Sequence, residues 1–269
     1  MRPMSMSRPL ALVTGASAGI GKAFSERLAR DGYDLIVTAR RQDRLDDLAA
    51  RLHAEFGAAV EVLVADLAKP DGVSAVCAAV AQRPFDLVVN NAGFGAYRPF
   101  AELDPQVADD LLSVHIRAVV QVTRAALPGM LAQNRGSIVN VASLLALSSS
   151  IPPGGFLPAR AVYAGAKSFL LAFSQIVAGE LASTNVRVQV CLPGIVKTEF
   201  HEVQGMDTSR MPPRMPPEDV VTASLAALGR NEAVCVPALE DAALLRTVEE
   251  SQRAVLASTS KATLAKRYA

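Results

Sequence analysis

Tyr163 and Lys167 stand four residues apart in AVYAGAKSFLLAFSQIVA, a stretch that is otherwise almost wholly apolar. On a helix that spacing puts both side chains on one face. An ammonium near a phenol favours the phenolate and draws its pKa down from about 10 toward the working pH. A phenol tuned in this way can protonate a carbonyl oxygen as a hydride arrives, or deprotonate an alcohol in the reverse direction. A lysine inside an apolar helix needs a polar partner or a ligand, which separates this pair from an ordinary surface Tyr beside a Lys. Ser143 follows an apolar run, Ser137–Val141, and could hydrogen-bond the same oxygen.

A second group of residues has the chemistry of a nucleotide site. Thr14-Gly15-Ala16-Ser17-Ala18-Gly19-Ile20-Gly21 follows the apolar run Leu10–Thr14 and opens a helical pattern. Glycines there let backbone approach a pyrophosphate, and the helix start offers free N–H groups and a positive dipole end. Arg40 and Arg41 come 19 and 20 residues after Gly21. A residue about 20 positions on reads the ribose of a dinucleotide. An acid would bind the 2′-hydroxyl of NAD, whereas guanidinium suits the 2′-phosphate of NADP by charge and bidentate geometry. Cations at a helix start are mildly unfavourable, which points to a bound anion. Asp66-Leu67 follows the next apolar run, with Asp66 placed either to face an adenine amine or to cap a helix. Asn90-Asn91-Ala92-Gly93 and Pro193-Gly194-Ile195-Val196-Lys197-Thr198 end two further runs.

These clusters need elements to hold them on one edge. Short apolar runs at Leu10–Thr14, Leu35–Thr38, Val60–Val64, Leu87–Asn90, Ser137–Val141, Val186–Leu192 and Ala233–Val236 read as seven strands. Helical patterns alternate with them at Ile20–Arg30, Arg41–Phe56, Pro70–Gln82, Asp104–Leu127, Ala161–Ala182 and Pro217–Gly229. The fourth is expected to start at an Asp104 cap with Pro105 in its first turn and to stop at Pro128-Gly129. Strands alternating with helices predict an α/β fold: a doubly wound parallel sheet of Rossmann type with helices on both faces. Ligands of such sheets bind at the carboxyl ends of the strands. The chain is expected to be one domain over 1–269, with a methionine-rich substrate loop at 199–217 and a helical segment at 237–269.

Composition narrows the class. The 269 residues carry 27 Lys+Arg against 26 Asp+Glu, a net charge of +1. A chain of this size buries roughly 70–75% of its unfolded surface without metal or disulfide staples. Neutrality argues against a nucleic-acid partner. Cys77, Cys191 and Cys235 are far apart and form no CxxC, so no disulfide framework or metal site is expected and a reducing, cytoplasmic setting fits. The apolar runs are broken before the ~18 residues of a membrane span, and the four-residue run at Leu10–Val13 is too short for a signal peptide, which needs about 7–15.

TGASAGIG, NNAG, YAGAK and PGIVKT, in this order, resemble the TGxxxGxG, NNAG, YxxxK and PGxxxT motifs of the short-chain dehydrogenase/reductase family, over roughly residues 8–236. The resemblance implies NAD(P)-dependent interconversion of ketones and alcohols. It implies that Ser143 polarises the carbonyl, Tyr163 is the acid/base, and Lys167 binds the nicotinamide ribose while lowering the tyrosine pKa. Thr198 would bind the carboxamide and Asn91 would line the cofactor pocket, while an Arg at the end of the second strand goes with NADP. The chain departs from the pattern twice. His115 stands where members usually carry an Asn that holds a proton-relay water; His115 is either an altered relay or a buried histidine satisfied by backbone. Ser143 also lies 20 residues before Tyr163, a longer interval than the family's. That makes Ser148 a fallback and predicts a lengthened loop at 147–158.

The walls of the cleft are expected from Phe94–Tyr97, Leu144–Pro158 and Glu199–Met215, rich in Leu, Ile, Phe, Met and Pro. They suit a hydrophobic ketone, fatty-acyl, steroid-like or aromatic, although apolar loops also simply pack on a core. A carrier-protein substrate would dock on Arg117, Arg124 and Arg135. Helices Leu111–Leu127 and Ala161–Ala182 are apolar nearly all round, which predicts a homodimer through a four-helix bundle; a tetramer is less supported, because the chain ends in a charged helical segment. The leading expectation is an NADPH-dependent carbonyl reductase. The alternative is a non-catalytic NADP(H)-binding regulator, and a sugar-nucleotide epimerase would need a longer substrate domain.

Overall fold

A computed structural model describes residues 8–155, 157–200, 202–204, 212–259 and 263–268. Met206 and Met211 of the expected substrate loop lie outside the described residues. The chain forms two compact units, 1–237 and 238–269. The second contains a helix at Ala243–Ser258 and a 3-10 turn at Lys266–Tyr268.

The first unit is a seven-stranded parallel sheet: β1 (Leu10–Thr14), β2 (Asp34–Ala39), β3 (Val60–Val64), β4 (Leu87–Asn90), β5 (Gly136–Val141), β6 (Val186–Cys191) and β7 (Val234–Cys235), in the order β3-β2-β1-β4-β5-β6-β7. Its helices are α1 (Gly19–Arg30), α2 (Gln42–Phe56), α3 (Pro70–Ala81), α4 (Pro105–Leu112), α5 (Ala118–Gln133), α6 (Ala161–Glu180) and α7 (Pro217–Gly229). This is the Rossmann-type architecture that the alternation of runs predicts. The central strands are apolar at nearly every position because both faces are covered. Ala11 and Val13 face one core layer with Phe24, Leu28, Leu45 and Val220 from α1, α2 and α7. Leu12, between them, faces the other with Val73, Val122, Met130 and Val177 from α3, α5 and α6, as the two-residue period of a strand requires.

The winding direction reverses between β1 and β4, so their carboxyl ends open into a crevice. The crevice is pinned. The Thr14 hydroxyl donates to the Val89 carbonyl at 3.3 Å and accepts from the backbone N–H groups of Asn91 and Ala92 at 2.9 and 3.0 Å.

The fourth helical stretch differs from expectation at two places. Pro128 does not end it: α5 continues to Gln133 and closes on Asn134 in a left-handed conformation, φ 48°. The proline removes one backbone hydrogen bond, while Ala126 and Met130 on either side are buried in the core layer and hold the turn in register. The stretch is also not one regular α-helix. Ser113–Arg117 forms a π-helical turn between α4 and α5, and such bulges concentrate at functional sites. His115 is its middle residue. Helix α6 is long and apolar enough to cross a membrane by length and composition. It carries the buried Tyr163 and Lys167 and packs against β6.

Candidate active site

The edge formed by the carboxyl ends of β1, β4, β5 and β6 collects most of the expected residues. On the β1 side the turn is tightly fitted. Gly15 and Gly19 have φ of +68° and +53°. A Cβ on Gly19 would stand 2.8 Å from the Thr198 methyl, and one on Gly21 would stand 2.3 Å from the Gly15 carbonyl oxygen, so only glycine fits. Asn91 does structural work for this turn. Its side-chain amide donates to the carbonyls of Thr14 and Gly15 at 2.9 and 3.4 Å. Helix α1 begins after Ala18, without a side-chain cap and with no acid in its first turn. Its free N–H groups are left for an anion. Ile20 packs against the core beneath the turn.

The arginines divide. Arg41 donates to the Ser17 hydroxyl at 3.3 and 3.0 Å and pairs with Glu199 at 2.5 Å. Arg40 is exposed and makes no hydrogen bond or ion pair with a described residue. Arg44, one turn further on α2, pairs with the other Glu199 oxygen at 2.8 Å. Asp66 accepts from the Ala68 N–H at 3.0 Å, so one carboxylate oxygen is spent on its own turn. Leu67 is buried in the core layer with Val73 and Val76; its side chain packs there, and only its backbone is left for a nucleotide.

On the β5 side, Ser143 caps a 3-10 turn at Leu144–Leu147, accepting from the Leu145 N–H at 3.2 Å. Its hydroxyl lies close enough to the Tyr163 phenol to favour the phenolate. Ser148 belongs elsewhere. It is held by Arg160, which donates to the Ser148 hydroxyl and carbonyl at 2.8 and 2.9 Å and to the Ile151 and Pro158 carbonyls at 2.7 and 3.0 Å. The lengthened loop is therefore stapled by a buried guanidinium, and Ser143, not Ser148, is the serine beside the tyrosine. The β6–α7 segment closes this side: the Leu144 N–H donates to the Pro193 carbonyl at 2.9 Å, and Val196 is buried and bridged to Met215.

Tyr163, Lys167 and His115 are all buried. The Lys167 ammonium donates to the Val141 carbonyl at 2.9 Å and lies 5.6 Å from the Tyr163 ring centre. The His115 ring meets the Tyr163 ring edge-on at 5.5 Å. Its Nε2 lies 2.8 Å from the Phe94 carbonyl oxygen and 3.4 Å from the Phe94 N–H; the shorter contact, to an acceptor, favours the hydrogen on Nε2, and the buried Nδ1 has no partner among the described residues. A Cβ on Gly93 would stand 2.4 Å from this ring, so the glycine of NNAG makes room for the histidine. Tyr97 and Phe200 flank Tyr163 with ring centres at 5.5 and 6.2 Å, and the Tyr97 side chain influences the Tyr163 phenol. The spacing of motifs does not single out Arg44; Tyr97 belongs to the Phe94–Tyr97 stretch expected to wall the cleft.

Burial governs the electrostatics. It pushes the Tyr163 phenol well above the ordinary tyrosine range, helped by the adjacent Tyr97. It pulls Lys167 down to about 7 and His115 well below the usual imidazole value, the latter assisted by the Lys167 charge. In the protein alone Lys167 therefore does not draw Tyr163 toward neutrality as the sequence predicts; desolvation dominates and leaves a protonated phenol. A neutral phenol and a serine hydroxyl converging on one point make a hydrogen-bond and proton donor for a carbonyl oxygen.

The short chain dehydrogenase family model matches residues 9–208. The chain belongs to the short-chain dehydrogenase/reductase family. A very-long-chain 3-oxoacyl-CoA reductase of Pyrenophora tritici-repentis is 33% identical over 229 residues, which are 82% of this chain and 63% of that protein. The chain thus spans under two thirds of that relative's length. Human dehydrogenase/reductase SDR family member 4 is 33% identical, with 76% of this chain matched to 72% of that one. A short-chain dehydrogenase from Sphingobium yanoikuyae, solved in complex with NADPH, superposes with a TM-score of 0.91 at 32% identity, over 97% of this chain and 100% of that one. The bulky-bulky ketone specific alcohol dehydrogenase from Comamonas testosteroni gives a TM-score of 0.87 at 29% identity, over 97% of this chain and 98% of that one.

Proposed function

We propose that the enzyme is an NADPH-dependent carbonyl reductase for a hydrophobic ketone. The observation that carries this reading is the buried Ser143 beside the buried Tyr163, walled by Tyr97 and Phe200. Tyr163 stays protonated and so donates to the oxygen of an incoming carbonyl, with Ser143 as the second donor. The residues present fit NADP(H): an uncapped α1 start behind a glycine turn for the pyrophosphate, and Arg41 with Arg44 for a 2′-phosphate. When bound, NADPH supplies the hydride, and its oxidised ring brings a positive charge that favours the phenolate. Thr198 and Lys167 would orient the nicotinamide half. His115 would hold or pass a proton through Nδ1 toward Lys167. The aromatic walls suit a bulky apolar carbonyl. Two relatives are named for such substrates, a 3-oxoacyl-CoA and a bulky-bulky ketone.

The test is NADPH oxidation over a ketone panel: aryl ketones, a steroid ketone, 3-oxoacyl thioesters and keto-sugars. The reading expects the apolar members to dominate kcat/KM. A panel led by keto-sugars overturns the substrate class, and NADPH binding without turnover of any carbonyl favours the regulatory alternative.

We further propose a homodimer through α4, α5 and α6, because Leu112, Leu131, Phe169 and Ile176 lie exposed along them. A monomer mass in light scattering would refute it. Three unpaired thiols, Cys77, Cys191 and Cys235, support a cytoplasmic setting, which cell fractionation tests.

A further inference from the structure

The two guanidiniums suited to a 2′-phosphate hold an anion that the protein itself supplies. Glu199 sits one residue after Thr198 and reaches across the carboxyl edge of the sheet to α2. Its Oε1 lies 2.5 Å from Arg41 Nη2, and its Oε2 lies 2.8 Å from Arg44 Nη1. Arg41 is anchored at the same time on the Ser17 hydroxyl of the glycine turn. The carboxylate borders a cleft of about 410 Å³, together with Ser17, Gly19, Arg44 and Leu48. Each carboxylate oxygen takes one guanidinium, so the pair is fully engaged. The hydrogen bond from Arg41, with that from Arg44, holds the Glu199 carboxyl below the usual carboxylate range.

A carboxylate has one charge and two oxygens. A phosphate monoester has a charge of about −1.5 to −2 and three free oxygens. Offered the same two guanidiniums, the phosphate is the stronger ligand. The Glu199 side chain and both arginines are about one-third to one-half exposed, and ion pairs at such exposure are weak enough to exchange. A nucleotide without the 2′-phosphate brings nothing to displace the glutamate. We propose that Glu199 is a specificity-tuning residue, an internal carboxylate that closes the Arg41–Arg44 clamp, yields it to a 2′-phosphate, and so tempers the chain's preference for a nucleotide bearing one. This rests on the NADP reading and goes beyond it. The acid makes NADPH binding weaker than the arginines alone would allow, and until a nucleotide displaces it, it ties the clamp to the strand-end segment that carries Thr198 and Phe200.

The test is binding by calorimetry, without nicotinamide or turnover, of 2′,5′-ADP and of 5′-AMP to the full chain and to Glu199→Gln, Glu199→Asp and Arg41→Ala. Release of an exposed ion pair predicts that Glu199→Gln binds 2′,5′-ADP about 3–10-fold tighter. Its 5′-AMP affinity stays within about twofold, and Glu199→Asp, too short to span both guanidiniums, falls between. If Glu199→Gln leaves 2′,5′-ADP affinity unchanged or weakens it, or changes both nucleotides alike, Glu199 is no such residue. Should the unaltered chain still prefer 2′,5′-ADP and Arg41→Ala abolish that preference, the NADP reading survives that failure. Equal affinity for both nucleotides in the unaltered chain, untouched by Arg41→Ala, removes the NADP reading itself. A melting temperature for Glu199→Gln matching the unaltered chain excludes a folding defect.

Discussion

The two halves of the site work by opposite physics. On the β1–β2 side, Arg41, Arg44 and Glu199 are partly exposed and tied into ion pairs that solvent screens. On the β4–β6 side, Tyr163, Lys167 and His115 are buried, and every one of them titrates away from its ordinary value because water is excluded. Exposed charges exchange partners cheaply, which suits choosing between cofactors. Buried groups keep a fixed protonation state, which suits chemistry. Substitutions in the buried half should therefore change turnover and pH dependence. Those in the exposed half should change affinity and salt dependence.

The largest effect is expected at Tyr163. Tyr163→Phe keeps the ring contacts with Tyr97, His115 and Phe200 and removes only the donor. Loss of a positioned general acid costs roughly 10²–10⁴-fold in kcat, with NADPH affinity little changed. Single-turnover kinetics beside cofactor titration checks both halves of the statement. A variant with turnover within about tenfold of normal would move the proton donor elsewhere.

Lys167 allows the contrast to be read without substrate. Its folded pKa is about 7, against an ordinary 10.5. Between those values the unfolded chain binds the proton that the folded chain has lost, so stability rises with pH across this window. Tyr163, whose pKa is raised, opposes this only above its ordinary value of 10.0. The urea midpoint should climb between pH 7 and 9, and Lys167→Met should flatten the climb. An equal climb in the variant would show that the lysine is solvated.

The exposed half should respond in affinity. Arg41→Ala removes charge-assisted bonds to a phosphate and should weaken NADPH binding by roughly 10–100-fold, with NADH nearly unaffected. Arg40→Ala should cost no more than about threefold, since Arg40 has no partner on the clamp. Equal losses at the two positions would mean that the bound phosphate recruits Arg40. Raising the salt concentration should weaken NADPH binding more than it weakens NADH binding.

What could be read from the sequence follows the same division. Tyr163 and Lys167 stand out because polar types are costly in an apolar helix, and the glycine turn because a strand end and a helix start frame it. Strand placement was legible because both-faces burial demands continuous apolar runs. The Glu199 clamp was not, since it joins residues 155 apart through two common surface types. That Arg41 contacts Ser17 and Glu199 while Arg40 is exposed depends on how the chain passes from β2 to α2, which periodicity does not encode. The π-helical turn under His115 leaves no compositional mark, and Pro128 points to a helix end that core packing of Ala126 and Met130 overrides.

The smallest expected effect is at His115, and it decides how the buried half handles its proton. The imidazole is neutral: burial pushes its pKa well below 6.5. Below that value the unfolded chain takes up a proton that the folded chain refuses, so His115 lowers stability as pH falls. His115→Asn removes that linkage, and the gap in melting temperature between pH 7 and pH 5 should narrow. At pH 7 the variant should melt within about 2–4 °C of the parent, the shift expected of roughly 1 kcal/mol in a chain of this size. The relay reading adds a separate consequence. Nδ1, buried beside the Lys167 charge and without a partner among the described residues, is an acceptor that an asparagine amide replaces with different basicity. The pH–rate profile should therefore shift in His115→Asn even where stability does not. A narrowed stability gap with an unmoved pH–rate profile would leave His115 as a packed side chain tethered to Phe94, and the proton would have to reach Lys167 by another route.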